Sequence, residues 1–171
     1  MAGAARQERA SLREAREGSA SAIEALFRAH WPRAHRTAYL VVHDSAAAED
    51  IAQEAFLAAI RRLDRFDGDR PFGPWLHRIV VNRAIDWARS RQLRREAGLD
   101  EAEAPAHAPE LSGDTLSALA ALTPEHRAVI VLRHLLGYTP GEIAAMLDLP
   151  RGTVNSRLRR GLDTLEERLR P

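Results

Sequence analysis

Apolar residues recur along this chain at three- and four-residue steps almost from end to end, as the buried face of an α-helix requires. The first clear stripe is Ile23, Leu26, Phe27, Trp31, Ala34, Ala38 and Val41, and Ser21-Ala22-Ile23-Glu24 at its start has the form of a capping box. A second helix is predicted from about Ala46 to Leu63, with Ile51, Ala55, Ala59 and Leu63 turned inward. Gly68 and Pro71 break the pattern, and a third helix runs from near Pro74 to about Glu96 carrying Leu76, Ile79, Val80, Ile85 and Trp87. Periodicity is lost from Ala97 to Ser112, where Gly98, Pro105 and Pro109 sit among acids and alanines, the composition of a linker. Leu111 to Leu122 adds a helical turn or two, and Thr123-Pro124-Glu125 starts a new helix with Thr as N-cap and Pro in the first position. Without a strand pattern or internal repeat, the expected fold is all-α: two small helical domains, 1–96 and 113–171, joined by a flexible acidic linker, 97–112.

The C-terminal module has the more specific pattern. Gly137-Tyr138-Thr139 ends one helix, and Thr139-Pro140-Gly141-Glu142 opens the next as a capping box, with Ile143, Met146 and Leu147 on its apolar face. After a break at Asp148-Leu149-Pro150 come Val154, Leu158, Leu162, Leu165 and Leu169 on one stripe. Arg151, Asn155, Arg159 and Arg160 lie opposite, with Ser156 beside them. Two short helices joined by a tight turn, the second polar and basic at its start, are the signature of a helix-turn-helix. A helix of that kind, here about Pro150 to Arg160, fits the DNA major groove, where short polar and Arg side chains reach base edges and exposed amides attract phosphate. A solvated amphipathic helix is the plainer reading; the agreement of cap, turn and charge placement favours the groove.

Composition narrows the function further. The 171 residues suffice for one ordinary domain or two small ones, and 45% hydrophobic content supports a packed core. There is no cysteine, which excludes disulfides, thiolate metal sites and a cysteine nucleophile and fits a reducing cytoplasm. No apolar run approaches membrane-spanning length and Met1 to Gly18 is charged throughout, so neither a signal peptide nor membrane insertion is expected. The net charge of +1 hides segregation: residues 61–95 carry ten Arg against four Asp, 96–125 carry seven acids and no Arg, and 126–171 carry eight Arg against five acids. Two nucleic-acid-facing modules joined by a segment that is not would show this pattern. In the first module Arg78, Arg83, Arg89, Arg91, Arg94 and Arg95 crowd one helix with only Asp86 opposing, and Phe66, Phe72, Trp75 and Trp87 interleave with them. Cations hold phosphates and rings stack on unpaired bases, although both tryptophans also suit a core, the expected place for Trp87. His30 and His35 are five residues apart and diverge on a helix, so no metal site is expected. Neither a phosphate-binding glycine loop nor a Gly-x-Ser-x-Gly elbow occurs, and no cofactor or catalytic activity is expected.

Four motifs in order carry a resemblance: Ala48-Glu-Asp-Ile-Ala-Gln-Glu-Ala-Phe56, then Phe66-Asp-Gly-Asp-Arg-Pro-Phe-Gly-Pro-Trp-Leu-His-Arg-Ile-Val-Val-Asn82 continued by Asp86-Trp-Ala-Arg89, then Leu122-Thr-Pro-Glu-His-Arg127, and Gly152-Thr-Val-Asn-Ser-Arg-Leu158. Over nearly its whole length the chain resembles the extracytoplasmic-function (group 4) sigma factors of bacterial RNA polymerase, in the sigma-70 family. The resemblance implies a non-catalytic subunit that binds core polymerase and directs promoter-specific transcription initiation. By it, Asp50, Gln53, Glu54 and Phe56 would dock on the clamp helices of the largest subunit, and the flap would be a further polymerase contact. The loop with Phe66, Gly68, Asp69, Arg70 and Phe72 would capture a flipped base of the −10 element. Trp75 and Asn82 would hold the unpaired strand, and Arg78, Arg83 and Arg89 would hold phosphates unless they pair with Asp86. Arg151, Thr153, Asn155, Ser156, Arg159 and Arg160 would read the −35 duplex. Many family members have a basic residue where this chain has Asn155, which favours base over phosphate contact there. The linker would thread the polymerase's basic channels, an anti-sigma factor is an expected partner, and no regulatory domain is expected beyond Pro171. A stand-alone helix-turn-helix regulator and a sigma-like decoy for an anti-sigma factor remain alternatives.

Overall fold

The computed structural model describes residues 2–99 and 112–170, and all its regular elements are helical among those residues. Most of the linker expected at 97–112 lies outside them. The chain begins with a helix that the apolar pattern does not announce, α1 (Ala2–Arg16). It docks through Leu12, Ala15 and the small polar Ser11, all buried, and the turn after it passes through Gly18, whose φ of 88° suits glycine.

Ser19, rather than the expected Ser21, caps α2 (Ala20–Val42): its hydroxyl accepts from the Ala22 amide at 3.3 Å. The expected stripe is only partly inward, since Leu26, Ala34, Ala38 and Val41 are buried while Phe27 is 36% exposed. Asp44 caps α3 (Ser45–Arg61) by accepting from the Ala47 amide at 2.9 Å, and a 3₁₀ turn, Leu63–Arg65, follows. The third long helix, α4 (Phe72–Glu96), starts two residues before the expected Pro74. Ala34, Ala38, Ala48, Ala52, Ala55, Ala59 and Ala84 are almost wholly enclosed, and their small side chains let α2, α3 and α4 approach closely around Leu26, Leu76 and Val80.

The second module contains α5 (Gly113–Ala120), α6 (Pro124–Ile130) continued by a π-helical stretch (Val131–Leu135), α7 (Pro140–Leu147) and α8 (Arg151–Leu169). The expected caps are in place: Thr123 accepts from the His126 amide, and Thr139 and Glu142 form a reciprocal capping box. Gly161 lets α8 cross α6 at close range, because a Cβ there would lie 2.9 Å from Ile130 Cγ1.

The modules pack against each other, α4 on α6 and α7 and α2 on α6, and one apolar cluster runs through both. Polar side chains seal the contact. Arg127, 8% exposed, donates to the Leu119, Ala120 and Leu122 carbonyls of its own module and to Val41 O of the other at 2.6 Å. His77 Nδ1 and the Tyr138 hydroxyl are hydrogen-bonded across it at 2.7 Å, and Arg89 pairs with Glu125. A linker alone leaves the separation of two modules undefined; here side-chain contacts define it.

Candidate nucleic-acid interfaces

At the start of α8, Pro150 takes the N-cap position and buried Val154 and Leu158 fix the helix against its module. Arg151, Asn155, Arg159 and Arg160 are exposed on the opposite side, while Thr153, Ser156 and Arg157 are half-buried. The Ser156 hydroxyl donates to Thr153 O at 2.9 Å, so one of the expected base-reading groups is engaged by its own helix. The turn before α8 passes through Asp148 at φ 54°, and the Leu149 amide donates to Ala144 O at 3.0 Å, which closes the end of α7. This is the geometry of a helix-turn-helix, with the polar side of its second helix exposed over the first turns.

The segment from Phe66 to Phe72 divides into a buried floor and an exposed rim. Phe66 is 5% exposed and Phe72 wholly buried, so Phe72 is not a surface on which a base can stack. Its ring centroid lies 5.8 Å from Phe66, 5.7 Å from Trp75, 5.1 Å from His30 and 6.2 Å from Phe56, within the range of favourable aromatic pairs. Asp67, Asp69 and Arg70 are exposed and Gly68 is half-buried. The Asp69 amide donates to Asp67 Oδ1 at 3.1 Å in a local turn, and Arg70 lies 3.4 Å from Asp67. Asn82 and Arg78 are exposed on α4, and Trp75 is half-buried between the loop and that helix.

Arg83, Arg89 and Arg91 of α4 have partners that local spacing does not show. Arg83 bonds Glu54 of α3 at 2.6 Å and Arg89 bonds Glu125 of α6, in place of the expected competitor Asp86. Arg91 bonds Asp44 at 2.6 Å, and its guanidinium carbon lies 5.1 Å from the centre of the Trp87 ring. Trp87 is half-buried: it packs against the core, the place expected for it, with Arg91 over its ring. Burial by itself raises the Asp44 and Glu125 carboxyls, but backbone amides with Arg91 for the first, and Arg89 for the second, hold both below the usual range. Burial pushes His77 and His43 down to about 4; neighbouring Arg33 and Arg127 respectively add to the effect.

The outer face of α3 presents Glu49, Asp50, Gln53 and Glu54 to solvent. Phe56, expected on this face, is 4% exposed and packs inward against Phe27, because its position falls on the buried stripe with Ile51 and Ala55. Leu57 stands in its place at 56% exposure, an apolar side chain beside an acidic face. Among the described residues no three carboxylates or imidazoles gather as a metal site would need.

Fold and sites together define a helical, two-module DNA-binding protein. Comparison with known proteins makes this specific. Residues 26–94 match sigma-70 region 2 and residues 113–165 match sigma-70, region 4. The chain is 35% identical over 161 residues to RNA polymerase sigma factor CarQ of Myxococcus xanthus, covering 90% of this chain and 92% of that protein. It is 32% identical over 157 residues to the ECF RNA polymerase sigma-E factor of Escherichia coli strain K12, covering 80% and 82%. Among solved structures, CnrH in complex with the cytosolic domain of CnrY superposes with a TM-score of 0.68 at 28% identity, covering 94% of this chain and 96% of that one. The sigma factor RpoE of Bartonella quintana, in complex with the anti-sigma factor NepR, gives 0.71 at 25% identity over 85% and 95%. The chain belongs to the extracytoplasmic-function group of the sigma-70 family of RNA polymerase sigma factors, and its function is transcription initiation.

Proposed function

We propose that this sigma factor reads promoters with two surfaces that do different work while both sit on core polymerase. The observation that carries the reading is the exposed polar start of α8, braced from behind by buried Val154 and Leu158. Arg151, Asn155, Arg159 and Arg160 face outward to read the −35 duplex in its major groove, with Thr153 and Ser156 at the edge of the contact. The exposed rim Asp67 to Arg70 over the Phe66–Phe72 floor takes the flipped base of the −10 element. Trp75, Arg78 and Asn82 line the path of the unpaired strand, while Arg83 and Arg89 reach phosphate only by leaving Glu54 and Glu125.

The α3 face with Asp50, Gln53 and Glu54 docks on the clamp helices, Leu57 adding an apolar contact and Phe56 supporting from beneath. Residues 1–96 and 113–171 act as the region 2 and region 4 domains around the linker, and the protein works in the cytoplasm without a catalytic step of its own. CnrH and RpoE were solved bound to CnrY and to the anti-sigma factor NepR, and we extend to this chain an anti-sigma partner. In vitro transcription from a genomic promoter library, with core polymerase plus or minus this chain, tests the reading. Chain-dependent initiation at promoters sharing two spaced elements is expected. A tight, specific footprint by the chain without polymerase would instead indicate a stand-alone regulator.

A further inference from the structure

The turn between α3 and α4 is held from outside by α1, a helix that lies before the 26–94 stretch matching sigma-70 region 2. At the near end of the turn, Arg16 Nε donates to Leu63 O at 2.9 Å and its Nη2 donates to Phe66 O. The same guanidinium lies under the glycine of the rim: a Cβ on Gly68 would stand 3.6 Å from Arg16 Nη1. At the far end, Pro71 occupies the N-cap of α4 and offers no side-chain cap, so the first amides of that helix need an outside acceptor. Glu8 supplies it: its Oε1 accepts from the Phe72 amide at 3.2 Å. That oxygen is also 3.3 Å from His30 Nε2, and the His30 ring meets Phe72 edge-on at 5.1 Å.

We propose that α1 is a clamp on the base-capture loop, in which Arg16 and Glu8 are positioning residues that fix its two ends before DNA arrives. The inference rests on the proposed reading of residues 66–72 as the −10 capture loop. Neither side chain needs to touch DNA. A loop carrying Gly68 between two aspartates is costly to order, and a pocket already formed when the strand arrives does not lose that entropy on binding. Arg16 suits this because its planar fork bonds two carbonyls at once, which a lysine cannot reproduce.

The test uses holoenzyme assembled from core polymerase and the full chain. The probe is a promoter-DNA pool randomised both in an upstream duplex segment and in a downstream single-stranded segment, with bound molecules sequenced. Wild type should show base preferences in both segments. Arg16→Ala and Glu8→Ala should flatten the preference at the captured single-stranded base by about tenfold, roughly 1.4 kcal/mol, and leave the duplex preferences unchanged. Glu8→Gln keeps an acceptor for the Phe72 amide and should restore the wild-type pattern. Should Arg16→Ala lose its helical circular dichroism, the Glu8→Ala and Glu8→Gln pair decides. Equal loss in both segments, or full single-stranded preference in the two alanine variants, overturns the clamp while leaving the loop reading intact. A wild type with no single-stranded preference at any position overturns the loop reading, and the clamp with it.

Discussion

Arg127→Met is the substitution on which the packing of the two modules can be tested most sharply. Methionine keeps an unbranched apolar stem but removes every donor, leaving the carbonyls of Leu119, Ala120, Leu122 and Val41 without this partner. Three of these carbonyls belong to the end of α5 and the turn after it; Leu119 O also accepts from the Leu122 amide at 3.1 Å, while Ala120 and Leu122 lie where helical partners run out. Hydrogen bonds to a charged donor contribute about 2 kcal/mol each. Against this stands the cost of burying the cation: burial, with Arg95 adding to it, brings the Arg127 pKa down to about 10. That displacement corresponds to about 3 kcal/mol, from lost solvation together with repulsion by Arg95. The net loss expected from the substitution is therefore about 5 kcal/mol, a large part of the stability of a chain this size. Urea unfolding followed by far-ultraviolet circular dichroism measures it. With a slope of about 2 kcal/mol per molar, the midpoint should fall by about 2.5 M. A midpoint within about 0.3 M of wild type would refute the reasoning, since it would mean water satisfies the four carbonyls as well as the guanidinium does.

Acid should weaken the fold well before its carboxylates titrate. His77 and His43 stay neutral in the folded state down to about 4, whereas the unfolded chain protonates them near 6.5. Stability is therefore full above about pH 6.5 and falls progressively towards pH 4, by at most about 3 kcal/mol for each histidine. Thermal melts across that range should lose part of this slope in His77→Phe, and an unchanged slope would discredit the assignment. Thr139→Ala removes the hydroxyl that receives the Glu142 amide at 3.3 Å, and should cost about 1 kcal/mol in urea unfolding with no change in −10 selectivity. In holoenzyme, Asn155→Ala should relax base preference at one duplex position, worth about 1–3 kcal/mol, with the salt dependence of binding unaltered. A loss of affinity uniform over all sequences would instead place Asn155 on phosphate.

The features legible in the sequence were those written in consecutive residues. The box at Thr139–Glu142, the cap at Thr123 and the stripe Val154–Leu158 all depend on neighbours within one turn, and the structure places them as spacing predicts. Ser19 and Ser21 are equally good cap residues by type, and only the position of the first helical turn, one residue after Ser19, decides between them. No period announces α1 because its buried face rests on Leu12, Ala15 and Ser11, too few apolar residues to make one. Aromatic type does not distinguish a floor from a face, so sequence alone points to Phe72 and Phe56 as contacts, whereas rings from elsewhere in the chain enclose them. The same limit hid Glu54 and Glu125, which lie 29 and 36 residues from the arginines they bond and become visible only once the helices pack.

Gly161 has a mechanical meaning for DNA reading. At this point α8 rests on Ile130 with no side chain between, so the helix has a fulcrum behind its reading end. Arg151 lies ten residues towards the tip, about 15 Å along the axis at the usual rise. A tilt of about 5° at the fulcrum would swing that tip by more than 1 Å, as much as the tolerance of a hydrogen bond to a base edge. One methyl group added at position 161, remote from any base, would thus act on the promoter as a misaligned lever.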